Sequence, residues 1–313
     1  MGPKLRRLFQ SGLLLGVLTG CQLAPEPPVT RPAVRPDAGS PPQPSADSEI
    51  LARHYARVQN DLLSRGLLRS DGGEADVPFT RHTLVEDFIR VALFDEYVTR
   101  GGNLIARETE SRLRRWEKPV RFGLVFGETI PAEQRATDRA EISEYVQRLS
   151  RLTGLPMSMT APEQANFQIF IVNEDERRRI GPELRRLIPG IDIGAESTIA
   201  VMPRSTFCMV LAFSEGNAST YSSAVAVIRG EHPDRLRQSC VHEELAQGLG
   251  LANDSPAARP SIFNDDEEFA LLTPHDELLL KILYDRRLRP GMRPAEARPI
   301  VEEIVAELMG GES

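Results

Sequence analysis

Glu243-Glu244-Leu245-Ala246-Gln247-Gly248-Leu249-Gly250-Leu251-Ala252-Asn253-Asp254 is the stretch on which the reading of this chain turns. Helical spacing places Glu243 and Gln247 one turn apart on one face, sets the carboxylate of Glu244 beside the first, turns the chain at Gly250 and brings Asn253 in beyond the turn. That is the spacing with which a helix and the turn after it hold a metal ion and a general base. The neighbouring register, starting at His242-Glu243, fails because the residue four on is Ala246, which binds no metal. With the register fixed by Gly250 and Asn253, no imidazole stands at a ligand position. Zinc favours imidazole and thiolate, so Glu243, Gln247 and Asn253 make a hard, weak donor set. The expectation is no resident cofactor, with zinc or another divalent metal as the alternative.

Upstream, Pro233 opens the helix that carries this stretch. Before it lie four apolar runs read as strands: Val120 to Gly127, Asn166 to Val172, Thr206 to Phe213 and Ala224 to Ile228. Between the first two, Pro131 to Leu152 is an amphipathic helix with Ile142, Tyr145, Val146, Leu149 and Leu152 on its buried side. Downstream, Thr273 and Pro274 cap and open a helix that runs on to Tyr284, and a last helix spans Pro294 to Leu308. The order predicts an α+β fold.

Two further helices are expected nearer the N-terminus, from Ser48 to Leu68 and from Thr80 or Thr83 through Val98, stopped by Gly101 and Gly102. The globular core is expected to begin at Leu104. The implied division is residues 48–103 as a helical region and 104–313 as the main domain.

At the N-terminus, Lys4, Arg6 and Arg7 precede an apolar stretch from Leu13 to Leu18 that is too short to span a bilayer and reads as a signal peptide over residues 1–20. Leu18-Thr19-Gly20-Cys21 resembles the lipobox of bacterial lipoproteins, which implies a lipid on Cys21, a membrane anchor and a periplasmic location. Gln22 stands where an aspartate favours inner-membrane retention in enterobacterial lipoproteins, so the outer membrane is preferred. Residues 21–47, dominated by Pro, Ala, Ser and Arg, read as a tether.

The chain has 313 residues, three cysteines and a net charge of −7. Its scattered basic residues leave no nucleic-acid footprint. With Cys21 lipidated, Cys208 and Cys240 form an even pair in an oxidising compartment, where a disulfide is expected over two free thiols. No serine triad and no phosphate loop can be argued from spacing.

Leu249-Gly250-Leu251 followed by Asn253-Asp254 is similar to the Leu-Gly-Leu-x-His-Asp ending of matrixin-like zinc proteases. Leu272-Thr273-Pro274-His275-Asp276 with Leu279 and Leu283-Tyr284 resembles the helix after that motif. The blocks Cys240 to Asp254, Pro260 to Asp266 and Leu272 to Met292 together resemble an uncharacterised family of proteobacterial lipoproteins related to metzincin-like peptidases with a degenerate motif. The resemblance implies a zincin-like fold, a twisted mixed sheet backed by helices with the motif helix beneath a cleft. It carries no established activity with it.

Weighed singly, Glu243 and Glu244 are a solvated pair or a cleft pair whose mutual repulsion raises a pKa. Asn264 to Glu268 reads as a solvated acidic loop ahead of a calcium site, since its spacing departs from the EF-hand. His275 reads as a capping, exposed residue ahead of a metal ligand shared with Glu243, and His242 as core or as a residue standing behind the site and supporting it. The leading expectation is a non-catalytic binding or assembly module for an envelope protein or peptide. The alternative is a peptidase-like hydrolase in which Glu244 is the base.

Overall fold

The computed structural model describes residues 42–73, 75–100, 103–264 and 266–310, with backbone alone across 96–108. Helix α1 (Ala46–Ser64) starts at Ser45, whose hydroxyl accepts from the Ser48 amide, and α2 (Arg81–Leu93) starts at a reciprocal Thr80/Thr83 cap. The helix expected to run to Val98 stops at Leu93. Phe94 turns extended, and a hairpin of β1 (Phe94–Arg100) and β2 (Asn103–Glu110) follows, with Val98 opposite Ile105. Tyr97, Val98 and Thr99 are aromatic or β-branched, side chains that suit a strand once a partner is present.

Next come β3 (Val120–Phe126), α3 (Ala132–Thr153), β4 (Met157–Thr160) and β5 (Phe167–Val172). Short helices α4 (Glu174–Arg178), α5 (Gly181–Leu187) and α6 (Ile193–Ala200) lead to β6 (Cys208–Ser214) and β7 (Tyr221–Arg229). The chain closes with α7 (Asp234–Gln247), α8 (Pro274–Leu283) and α9 (Pro294–Leu308). The fold is α+β: a five-stranded mixed sheet in the order β4-β3-β5-β7-β6, parallel except for the edge strand β6.

Strand β5 is buried at all six positions, because both faces of the sheet are covered. On one face Ile169, Ile171, Ala226 and Ile228 join Leu84 and Phe88 of α2, Ile142 and Leu149 of α3, Leu245 of α7, Leu279 of α8 and Val301 of α9 in the main core. On the other, Phe170, Val172, Val225 and Val227 meet Ile180, Leu184, Ile188 and Ile199 of the α4–α6 layer. A third cluster, Tyr55, Leu62, Leu68, Leu236 and Ala270, seats α1.

These contacts correct the expected division at 103/104. Pro41–Ser313 is one compact unit, and Leu84, Phe88 and Val91 belong to the same core as the sheet. Nor is 48–103 purely helical, since it contains β1. Among the described residues no helix is long and apolar enough to cross a membrane.

Candidate functional site

Helix α7 leaves the end of β7, runs beside the edge strand and is closed by a tightly packed turn. The Trp116 indole donates to the Gly248 carbonyl at 2.9 Å and the Tyr284 hydroxyl to the Leu249 carbonyl at 2.9 Å. Gly250 has φ +125°, and a Cβ there would collide with the Arg114 carbonyl oxygen. Glycine is therefore required at the point where the sequence placed the turn.

The expected ligand positions diverge beyond that turn. Asn253 is 1 % exposed and faces the end of α2: its amide Nδ2 donates to the Arg90 carbonyl at 3.0 Å, and its backbone N–H donates to the Val91 carbonyl at 3.0 Å. Gln247 donates from Nε2 to Asp254 Oδ1 at 2.9 Å. Among the described residues no group of three or more His, Cys, Asp or Glu is arranged to hold a metal ion.

What the structure does bring together is a cleft of about 350 Å³. Glu243 and Glu244 of α7 line it with Asp254, Asn264 and Glu267. Its other walls are Phe207 and Cys208 at the start of β6, Leu236, Ser239 and Cys240 of α7, and Val58 and Leu62 of α1. Both glutamates are thus cleft residues, with Glu244 only 4 % exposed. Among the described residues the lining holds four carboxylates and no basic side chain. Cys208 and Cys240 are joined in a disulfide with Cα atoms 5.8 Å apart, which fastens the edge strand to the motif helix across this wall. Cys21 lies outside the described residues.

The histidines take no place in the cleft. His242 stacks on Tyr145 with centroids 3.9 Å apart, and its Nδ1 accepts from the Leu272 amide at 3.0 Å. Burial, helped by Arg148, pushes its pKa down to about 3, so it is a neutral acceptor in the core.

His275, expected at the surface, is fully buried. Its Nε2 lies 3.0 Å from Asp87 Oδ2 on α2, and its ring meets Phe79 edge-on. Burial opposes its charge, but Asp276 and Asp87 outweigh burial and push its pKa up to about 9. The first turn of α8 packs against α2, so the position that a cap would leave in water is covered instead.

The acidic loop is likewise less solvated than expected. Glu268 is buried and accepts from Arg259 and Arg69, while Asn264 Nδ2 donates to the Pro256 and Ala258 carbonyls. Asp265 lies outside the described residues.

Sequence reasoning missed three contributors. Val58 and Leu62 reach the cleft from a helix about 180 residues before α7 in sequence, and their helical spacing signalled only burial. Asp254 was quoted as part of the motif without a role, and it orients Gln247. A buried ionic cluster was also unforeseen: Glu174 accepts from Arg177 at 2.7 Å and from Arg229 at 2.6 Å.

No curated protein matches this chain. Residues 81–303, more than two thirds of its length, match a family model from the first turn of α2 to the middle of α9, taking in the whole sheet, the motif helix and the turn at Gly250. The chain therefore belongs to DUF2927, a family of proteins of unknown function.

Proposed function

We propose that this chain is a lipid-anchored cell-envelope protein, held at the periplasmic face of the outer membrane through Cys21, whose zincin-like domain binds an extended peptide segment and catalyses no reaction. One observation supports the non-catalytic part: Gln247 and Asn253 line no part of the cleft that Glu243 and Glu244 line, and Asn253, 1 % exposed, packs on the end of α2 where a metallopeptidase would turn its third ligand toward the first two. A mixed sheet whose single antiparallel strand is its edge, with the motif helix alongside, supports the zincin-like reading.

The same strand supports peptide binding. Among the described residues β6 has a strand neighbour on one side only, and Cys208-Met209-Val210-Leu211-Ala212-Phe213 carries none of the charges or prolines that blunt open edges. Added strands take affinity from main-chain hydrogen bonds and specificity from alternate side chains. Those side chains would meet the carboxylates at the Cys208 end, which favours a ligand alternating apolar and basic residues.

A displayed library of extended peptides tests this reading. Enriched peptides are expected to be apolar and basic in alternation and to lose binding roughly tenfold or more to Leu211→Lys or to Glu243→Lys. Enrichment indifferent to both changes overturns it. Elemental analysis of protein purified without chelator tests the hydrolase alternative, with Glu244 as base. Stoichiometric metal lost in Glu243→Ala or Gln247→Ala would establish that alternative and end the non-catalytic reading. Anchoring is tested separately, since Cys21→Ser is expected to abolish acyl labelling and release the protein from the membrane fraction.

A further inference from the structure

The two most exposed large aliphatic side chains among the described residues lie on or next to α6: Ile193 is 85 % exposed and Val201 72 % exposed. Val201 rims a hollow of about 660 Å³ together with Leu51, Met202, Pro203 and Ile50, the last itself 55 % exposed. Ile193 stands eight residues before Val201, roughly 12 Å along the helix. The segment from Glu174 to Arg204 is neutral: Glu174, Asp175, Glu176, Glu183, Asp192 and Glu196 balance Arg177, Arg178, Arg179, Arg185, Arg186 and Arg204, six against six. Most of these arginines are paired within the segment, as Arg177 and Arg178 are with Glu174, Arg185 with Glu196 and Arg186 with Glu183. Apolar contact is what this surface offers, with no electrostatic pull on an anionic partner.

What covers it follows from where the chain enters. The described chain begins at Pro42, and Pro42, Gln43 and Ser45 line a second hollow beside the ends of β3 and β5. Asp47, Ile50 and Leu51, immediately after, rim the first. Entry point, Ile50 and Val201 therefore share one end of the molecule. On the anchoring reading proposed above, the acyl chain sits 21 residues ahead of Pro42 (42 − 21), and such a chain spans at most roughly 75 Å. A surface patch kept that close to a bilayer meets it at high effective concentration.

We infer that the end of the molecule formed by Ile50 and Val201 rests on the lipid surface, inserting aliphatic side chains at the level of the headgroups. This inference rests on the anchoring reading. The orientation turns α9 away from that surface, since its Val301 lies in the core on the opposite face of the sheet from Ile199 of α6.

The test uses the full-length lipidated protein on phosphatidylcholine vesicles with brominated acyl chains. The chain's single tryptophan, Trp116, is 1 % exposed and so shielded from the brominated chains, and its emission, recorded on the unsubstituted protein, is subtracted to leave the introduced indole. In Val201→Trp the new indole is expected to shift to the blue and be quenched roughly twofold or more. In Leu308→Trp, at an exposed position of α9, it is expected to stay unquenched. The Val201→Trp signal is expected to be unchanged by salt or by added anionic lipid, given the neutral segment. Protein that pellets with vesicles while both positions, or neither, are quenched overturns this orientation and leaves the anchor standing. Protein that carries no acyl chain overturns the anchor itself. Emission from Val201→Trp that shifts in native envelope fractions but not on pure lipid assigns the surface to a protein partner and overturns the inference.

Discussion

At the scale of single residues, the turn after α7 depends on a position that admits one amino acid. Gly250→Ala forces a Cβ against the Arg114 carbonyl in a backbone conformation that side chains rarely adopt. It is expected to destabilise the fold by about 2–4 kcal/mol, read as a lowered midpoint in urea denaturation. His275 makes a second prediction. Its folded-state pKa is raised to about 9, so its pairing with Asp276 and Asp87 contributes fully below the unfolded value of 6.5 and fades as pH rises through 9. Urea midpoints are expected to fall between pH 6.5 and pH 9, and His275→Gln is expected to flatten that part of the profile. The glycine was legible in the sequence because its role is local. The histidine was not, because its partner Asp87 lies 188 residues away and capping chemistry alone cannot report what packs on the cap.

Among elements, the long ones declared themselves. The apolar runs of β3, β5 and β6 and the stripe of α3 match their expected spans within one or two residues, β7 starts three residues ahead of its expected Ala224, and Pro294–Leu308 matches outright. The short ones did not. Strand β4 has four residues, and α4, α5 and α6 have five, seven and eight, lengths over which helical period cannot be told from chance. At β1 the sequence misled, because a hairpin partner outweighed the helical stripe of α2. The Cys208–Cys240 pair was legible only with Cys21 set aside as a lipidation site and the compartment taken as oxidising, and its place explains its weight: it joins β6 to α7 across a sequence separation of 32. Replacing both cysteines by serine is expected to cost about 3–4 kcal/mol in the chain-entropy account. A urea midpoint unmoved by the change would show that cleft packing, not the bond, holds the two elements together.

For the molecule as a whole, the sheet and α2 fold as one body. A fragment beginning at residue 104 exposes the faces that Leu84, Phe88 and Val91 cover and is expected to show no cooperative unfolding, whereas one beginning at 81 keeps the whole span of the family match. Calorimetry of the two fragments distinguishes these outcomes. The candidate cleft was legible only in part: α7 announced its own wall, but the wall from α1 depends on a helix outside the family span. That helix gives the molecule a mechanical character. Any load borne by the chain ahead of Pro42 enters at the N-terminal end of α1 and must part its attachments in order. Ser48 on Glu231 yields first, then Tyr55 on the Arg204 carbonyl, then Gln59 on the Leu236 amide, and only afterwards Leu62 at the cleft. Tension therefore peels α1 like a zip, and the cleft stays walled until the pull has undone nearly the whole helix.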